Sequence, residues 1–382
     1  MIDLISVGRG RLLEFPLLKF PRPRRLVQLR RPGKGLGHKA SPRAPGAGPR
    51  RPGDAGVGGA ARSAQFGMTG PALVVIAGPT AVGKTQVAVA LAWRTPAEIV
   101  CADSRTLYRG LDIGTAKPSP ADRAAVPHHL LDIATPDQIV TLAEYQRLAT
   151  AAVAEIRARR RLPVLVGGAG LYIRTVVDRV AIPPVAPDWD LRGRLEAEER
   201  AVGPGTLHSR LRELDPVAAS RVHPRNVRRI IRALEVHART GIPISLLQRE
   251  RGAARAPAPE DAGAVLMVAL TLDREKLYAR IDVRIERQIA QGLEEEVRAL
   301  LRSGYARTLP ALQGLGYAEM LAYLDGTISF AEAVRRFRRN TRRYAKRQLI
   351  WFRADPRYMW LDVQDDSADV VAARIYAMFA AQ

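Results

Sequence analysis

Cysteine is almost absent from this chain: Cys101 is the one thiol in 382 residues. That excludes an internal disulfide framework and a multi-cysteine zinc site, and it fits a reducing, cytoplasmic compartment. Long apolar runs are missing as well. Nothing approaches the roughly 18 uninterrupted apolar residues of a membrane-spanning helix, so no membrane partner is expected. The first apolar patch, LLEFPLLKF at 12–20, is broken by Glu14, Pro16 and Lys19 and makes a poor signal-peptide core. Acidic residues are scarce: 60 Lys and Arg face 38 Asp and Glu, a net charge of +22. Residues 1–68 carry half of that excess, with 14 basic residues against 3 acidic. The remainder is still basic enough to point to a polyanionic partner.

The sequence divides by composition. Residues 1–67 are dense in Arg, Gly and Pro and are expected to be a disordered basic extension. Few serines and eight prolines argue against a transit-peptide helix there. Met68 reads as the working start, which makes 1–67 an expected non-native addition. From Leu73 strands alternate with helices, the pattern of a parallel α/β sheet. Strands are expected at 73–77, 98–102, 162–168 and 264–272. Helices are expected at 84–94, at 141–160 and from Gly170. The expected division is a phosphate-loop α/β core at 68–188 and a helical insertion at 189–262. A return strand and a basic helical C-terminal region then fill 263–382.

The first strand runs into Gly78-Pro79-Thr80-Ala81-Val82-Gly83-Lys84-Thr85, which fits G-x-x-x-x-G-K-[ST]. Its glycines let backbone N–H groups face phosphate oxygens, and the following helix N-terminus adds a favourable dipole. Lys84 supplies a point charge and Thr85 can ligate Mg²⁺. The octet signals phosphate without saying which one. Asp103 ends the second strand, at the carboxyl edge where open α/β sheets hold ligands. Two roles are open to it locally, a general base or an Mg²⁺-holding carboxylate.

Seven ordered blocks are more specific: GPTAVGKT, ADSRTLYRGLDIGTAKP, PHHLLDI, LVGGAGLYI, RRIIRALEV, QGLGYAEM and TRRYAKRQLIWFR. Together, from about Met68 to Leu361, they resemble bacterial tRNA dimethylallyltransferases, also called tRNA isopentenyltransferases. The resemblance implies a P-loop NTPase-like fold and transfer of a dimethylallyl group from dimethylallyl diphosphate to N6 of the adenine 3′ to the anticodon. Diphosphate would leave, with Mg²⁺ as cofactor and tRNA as macromolecular partner. Asp103 becomes the expected base and Thr80 a residue near the reacting centre. Gly78 to Thr85 and Arg280 become the diphosphate clamp. The implied tRNA-facing residues are Asp103, Ser104, Arg105, Thr106, Ala169, Arg192, Arg228, Arg229, Ile230, Ile231, Arg232, Gln313, Gly314, Leu315, Gly316, Tyr317 and Ala318. Two depart from the family pattern: Thr106 stands where many relatives have Gln, and Ala169 where Thr is usual.

Other features read as structural. Adjacent His128 and His129 suggest packing more than catalysis, and Cys101 suggests a buried small hydrophobe. Leu91 and Trp93 read as core. In Arg335 to Arg347, Val334, Phe337, Thr341 and Tyr344 mark a buried stripe, and the basic remainder suggests phosphate-backbone contact. Competing functions are a nucleotide kinase or ATPase, a non-catalytic RNA-binding protein, and a prenyltransferase of free adenine nucleotides. A monomer is expected. The missing C-terminal cysteines exclude an appended zinc finger.

Overall fold

Leu73–Ala77 is five apolar residues in a row, and all five are buried, which is possible only for a strand covered on both faces. It is β1 in a computed structural model whose described residues are 73–180, 182–183, 185–253 and 264–381. The expectations for residues 1–67 lie outside that range. The other strands are β2 (Ala97–Ala102), β3 (His128–His129), β4 (Leu162–Gly167), β5 (Val265–Thr271) and β6 (Met359–Asp362). The sheet order is β3-β2-β4-β1-β5-β6, with every neighbour parallel. β1 pairs Val74 with Val164 of β4 on one side and with Leu266 of β5 on the other. Connections therefore leave β1 in opposite directions, which opens a crevice at the carboxyl ends of the strands.

Four strands match the apolar runs that announce them. β3 and β6 do not, because each is a short edge with half-exposed or exposed residues. The C-terminal part is thus not purely helical. Trp93 also departs from expectation: it is 72% exposed just after the helix Lys84–Ala92, while Leu91 is fully buried.

Residues 189–253 form helices only: Trp189–Val202, Thr206–Leu214, Pro216–Arg221, Val227–Thr240 and Ile244–Ala253. They bury a cluster of their own around Leu207, Leu211, Ile230 and Ile231, separate from the cluster that flanks the sheet. After β5 come the helices Arg274–Ala290, Leu293–Arg302, Tyr317–Leu324 and Phe330–Arg353. The last is capped by Ser329, whose side chain accepts from Glu332 N–H. Its buried stripe is Ala333, Phe337, Thr341, Ala345, Gln348 and Phe352, so Val334 and Tyr344 flank the stripe instead of belonging to it.

Candidate active site

β1 delivers the chain to the loop Gly78–Thr85 at the carboxyl edge of the sheet. Gly78 has φ +143°, and a Cβ there would lie 2.7 Å from the Leu270 carbonyl oxygen of β5, so both conformation and space demand glycine. Gly83, at φ 104°, caps the following helix. Lys84 folds back over the loop, its Nζ donating to the carbonyls of Gly78 (3.0 Å) and Pro79 (2.7 Å). Burial, and then the neighbouring Arg284 charge, bring its pKa down to about 7, with partial relief from Asp103. Such a desolvated ammonium gains strongly from an anion.

A side chain far away in sequence holds the loop in place. Gln348 Oε1 accepts from Thr80 N–H at 2.8 Å, and its Nε2 donates to the Gly168 carbonyl beyond β4 at 2.9 Å. Arg284 Nη1 donates to Thr80 Oγ1 at 3.1 Å. Neither Gln348 nor Arg284 was among the expected site residues. Arg280, which was, lies one helical turn away with its guanidinium on the carbonyls of Val82 and Gln364, and it does not line the cavity.

Two cavities meet here. An inner one of about 110 Å³ is lined by Lys84, Thr85, Ile99, Cys101, His128 and Val166, among others. An outer cleft of about 540 Å³ is lined by Ser104, Arg105, Gln313, Gly314, Leu315 and Ala318, with further residues. Thr80, Asp103, Thr115, Ala116, Arg284 and Tyr344 line both. Asp103 Oδ1 accepts from Arg105 N–H at 2.8 Å, and its other oxygen has no partner among the described residues.

The structure brings together most of the expected residues from the sheet core and the C-terminal part. Arg105 reaches across the outer cleft to the carbonyls of Pro310 and Ala311, which ties the β2 loop to the turn Pro310–Gln313. Tyr317 lines that cleft but is itself buried, its hydroxyl donating to Glu296 at 2.6 Å. Glu296 also accepts from the N–H groups of Asp112, Ile113 and Gly114, at 2.9, 2.7 and 3.1 Å. Gly316 lies behind the cleft against Phe337. Thr106 is buried and faces the inner cavity, not the outer cleft. Ala169 caps the helix Gly170–Val177 and lines neither cavity.

The insertion residues are elsewhere. Ile230 and Ile231 are core side chains, 0% and 2% exposed, and cannot touch a partner. Arg192 and Arg232 both bind the buried carboxylate of Glu235. Arg228 and Arg229 are exposed. The basic face of Phe330–Arg353 is not free of acids: Arg335 pairs with Glu332, Arg338 with Glu286 at 2.8 Å, and Arg342 with Asp282. Arg339, Arg343 and Lys346 have no ion-pair partner among the described residues, and they line a groove of about 550 Å³ with Tyr278.

His129 is structural, its Nε2 lying 2.6 Å from Glu98, which also binds Arg159. Cys101 is buried, which pushes its thiol up to about 12. No cluster of three or more His, Cys, Asp or Glu suited to a metal occurs among the described residues. No helix of the described residues is long and apolar enough to cross a membrane.

The family model described as IPP transferase matches residues 106–355. The tRNA dimethylallyltransferase of Symbiobacterium thermophilum is 50% identical over 78% of this chain and 91% of its own length. That of Geobacter sulfurreducens is 46% identical over 80% and 96%. Among solved structures, the tRNA isopentenylpyrophosphate transferase of Bacillus halodurans is 41% identical and superposes with a TM-score of 0.59, covering 81% of this chain and 95% of that one. A eukaryotic dimethylallyltransferase acting on tRNA, 23% identical over 81% and 78%, shares the fold with a TM-score of 0.66.

Proposed function

Because the chain belongs to the IPP transferase family, we propose that it moves a dimethylallyl group from dimethylallyl diphosphate to N6 of the adenine 3′-adjacent to the tRNA anticodon. The observation that carries this is the meeting of the two cavities at Asp103, Thr80 and Arg284. A donor diphosphate bound at Lys84 has its allylic carbon within reach of a base entering from the wider cleft. That base must leave its stack to arrive there, which suits an anticodon-loop nucleotide.

In this reading Lys84, Arg284 and the N–H groups of Ala81 to Thr85 bind the diphosphate and stabilise the charge that grows on it as it leaves. Asp103 takes the N6 proton while nitrogen attacks C1 of the allyl group and the C1–O bond breaks. Thr80, fixed by Gln348 and Arg284, orients the leaving oxygens. The residues fit Mg²⁺, since a hard cation that keeps most of its waters and takes phosphate ligands needs little from the protein, and Thr85, with its hydroxyl, lines the inner cavity next to Lys84. When bound, the ion would neutralise diphosphate charge. A tRNA substrate makes the cytoplasm its expected compartment.

The test is mass analysis of nucleosides from tRNA incubated with the protein and dimethylallyl diphosphate in the absence of ATP. Adenosine gaining C5H8 is the expected result. A requirement for ATP, or phosphoryl transfer in its place, would overturn the assignment in favour of a kinase or ATPase.

A further inference from the structure

Glu296 lines neither cavity, yet its half-buried carboxylate accepts four hydrogen bonds. Oε2 takes the N–H groups of Asp112 and Ile113, and Oε1 takes Gly114 N–H and the Tyr317 hydroxyl. Three successive N–H groups converging on one anion form a backbone nest, filled here by the protein's own carboxylate. The carbonyl edge of the same turn is held as well. Gln288 Nε2 donates to the carbonyls of Ile113 (2.6 Å) and Gly114 (3.0 Å). Tyr317 closes the clamp, its ring packed so near Gly114 that a Cβ there would have no room.

The clamped turn leads directly into Thr115 and Ala116, which line both cavities. Ala116 has φ 52°, a left-handed conformation uncommon for a residue with a Cβ. Such a conformation persists only where its surroundings enforce it. Lys117 beyond it is fixed too, its Nζ donating to the Tyr108 carbonyl and to Asp112 at 2.6 Å each. Gln288 stands one helical turn past Arg284, which binds Thr80 of the phosphate loop. One face of the helix Arg274–Ala290 therefore meets both the donor loop and the turn. Tyr317 opens the helix whose Ala318 lines the outer cleft.

We propose that Glu296 is a positioning residue for transfer: it sets the shared wall of the two cavities at Thr115 and Ala116, and through Tyr317 it keeps the acceptor side in register with the donor side. This rests on the transferase reading above. Glu296 touches neither substrate and acts through where the turn holds that wall relative to Thr80 and Asp103. The position calls for a carboxylate, because the three N–H groups facing it can only donate. An amide offers them one acceptor oxygen and turns an NH2 group toward the rest.

Glu296→Ala, Glu296→Gln and Tyr317→Phe in the full chain are compared with wild type in single-turnover transfer, with enzyme in excess and tRNA and dimethylallyl diphosphate saturated. A rate constant measured this way does not depend on how much of a preparation is folded. Binding of each substrate and thermal unfolding are measured on the same samples. Misplacing reacting groups by about 1 Å can cost about 10²-fold, so Glu296→Ala should slow transfer by roughly that factor. Glu296→Gln should slow it by roughly tenfold and Tyr317→Phe by roughly threefold, with affinity for each substrate within about threefold of wild type. A lowered melting temperature at an unchanged rate constant would make Glu296 a brace for the fold alone and overturn the inference. A loss carried entirely by the affinity for tRNA or for the donor also overturns it. Should the Glu296 variants not fold, Tyr317→Phe decides, since it keeps the ring and loses only the bond to Glu296; an unchanged rate constant there sinks the idea. If wild type itself transfers nothing, the transferase reading fails and takes this inference with it.

Discussion

The sheet edge and the helical insertion use the same residue types to opposite ends. At the sheet edge Lys84, Asp103 and Arg284 converge on shared cavities, and Asp103 keeps one oxygen without a partner among the described residues. In the insertion, buried carboxylates are saturated from within. Glu235 receives both arms of Arg192 (2.7 Å each), Arg232 (2.5 Å) and the Asp188 N–H (2.7 Å). Glu199 takes the N–H groups of Gly205 and Leu207, and Asp215 takes those of Ala218 and Ser245 together with the Ser245 hydroxyl. An arginine or a carboxylate is available for chemistry only where the fold has not already used it. Arg192 is therefore a strut between the helices Trp189–Val202 and Val227–Thr240, and Arg232 braces Glu235 within the second helix while donating to the Val185 carbonyl.

The sharpest test of the contrast is Asp103→Asn. Removing a general base costs about 10²–10⁴-fold in transfer rate. With half of the carboxylate unengaged, stability should change by no more than about 0.5 kcal/mol. Single-turnover transfer and denaturant unfolding of the same preparation check both. Near-wild-type transfer would remove Asp103 from the chemistry. A collapse in diphosphate affinity at an intact rate would make it a metal ligand instead.

Glu235→Gln should behave in reverse. It leaves two arginines facing a neutral group, at a cost of about 2–3 kcal/mol. This is less than for a fully buried pair, because the Arg192 and Arg232 side chains are 24% and 28% exposed. Burial pushes the Glu235 carboxyl up, but hydrogen bonds from Arg192, the Asp188 N–H and Arg232 together hold it below the ordinary 4.5 of a glutamate. The sign follows: its stabilisation is present above about pH 4.5 and is lost as pH falls through the depressed value. Acid unfolding of Glu235→Gln should therefore lack part of the wild-type limb below that pH. A large rate loss at unchanged stability would put Glu235 with the catalytic groups and break the comparison.

Much of this was legible in the sequence, for physical reasons. β1, β2, β4 and β5 are near-continuous apolar runs because both their faces are covered. β3 pairs only two residues with β2, and β6 is an exposed edge, so neither carries such a run. Arg280 and Arg284 stand four apart on one helix, and the pattern alone does not say which turn meets the phosphate loop. Gln348 did leave a signal: it falls in register with Phe337, Thr341, Ala345 and Phe352, a polar residue on a buried stripe. The saturation of Arg192 and Arg232 had none, because Glu235 lies 43 and 3 residues away from them with nothing in sequence to mark it as fully buried. The acids facing the basic helix were hidden in the same way, since two of the three come from Arg274–Ala290.

That last point carries the finest version of the contrast into a single helix. Arg335, Arg338 and Arg342 face Glu332, Glu286 and Asp282, whereas Arg339, Arg343 and Lys346 face none among the described residues. A cation already neutralised by a protein acid has little condensed counterion to displace from RNA, whereas an unpaired one replaces a salt cation at a phosphate. Replacing the unpaired three with Ala should reduce the slope of log K for tRNA against log salt by roughly two to three. Replacing the paired three should change it by less than about one, since their acids are freed as the arginines are lost. Exposed pairs such as Arg338–Glu286 hold weakly, so a small residual effect is expected there. Arg343 lines both the groove beside Tyr278 and the outer cleft, so it should contribute the most of the three. Filter binding over a salt series with both triple variants and Arg343→Ala alone reads this directly. Equal slopes for the two triples would mean that charge count governs tRNA affinity and that pairing within the fold does not.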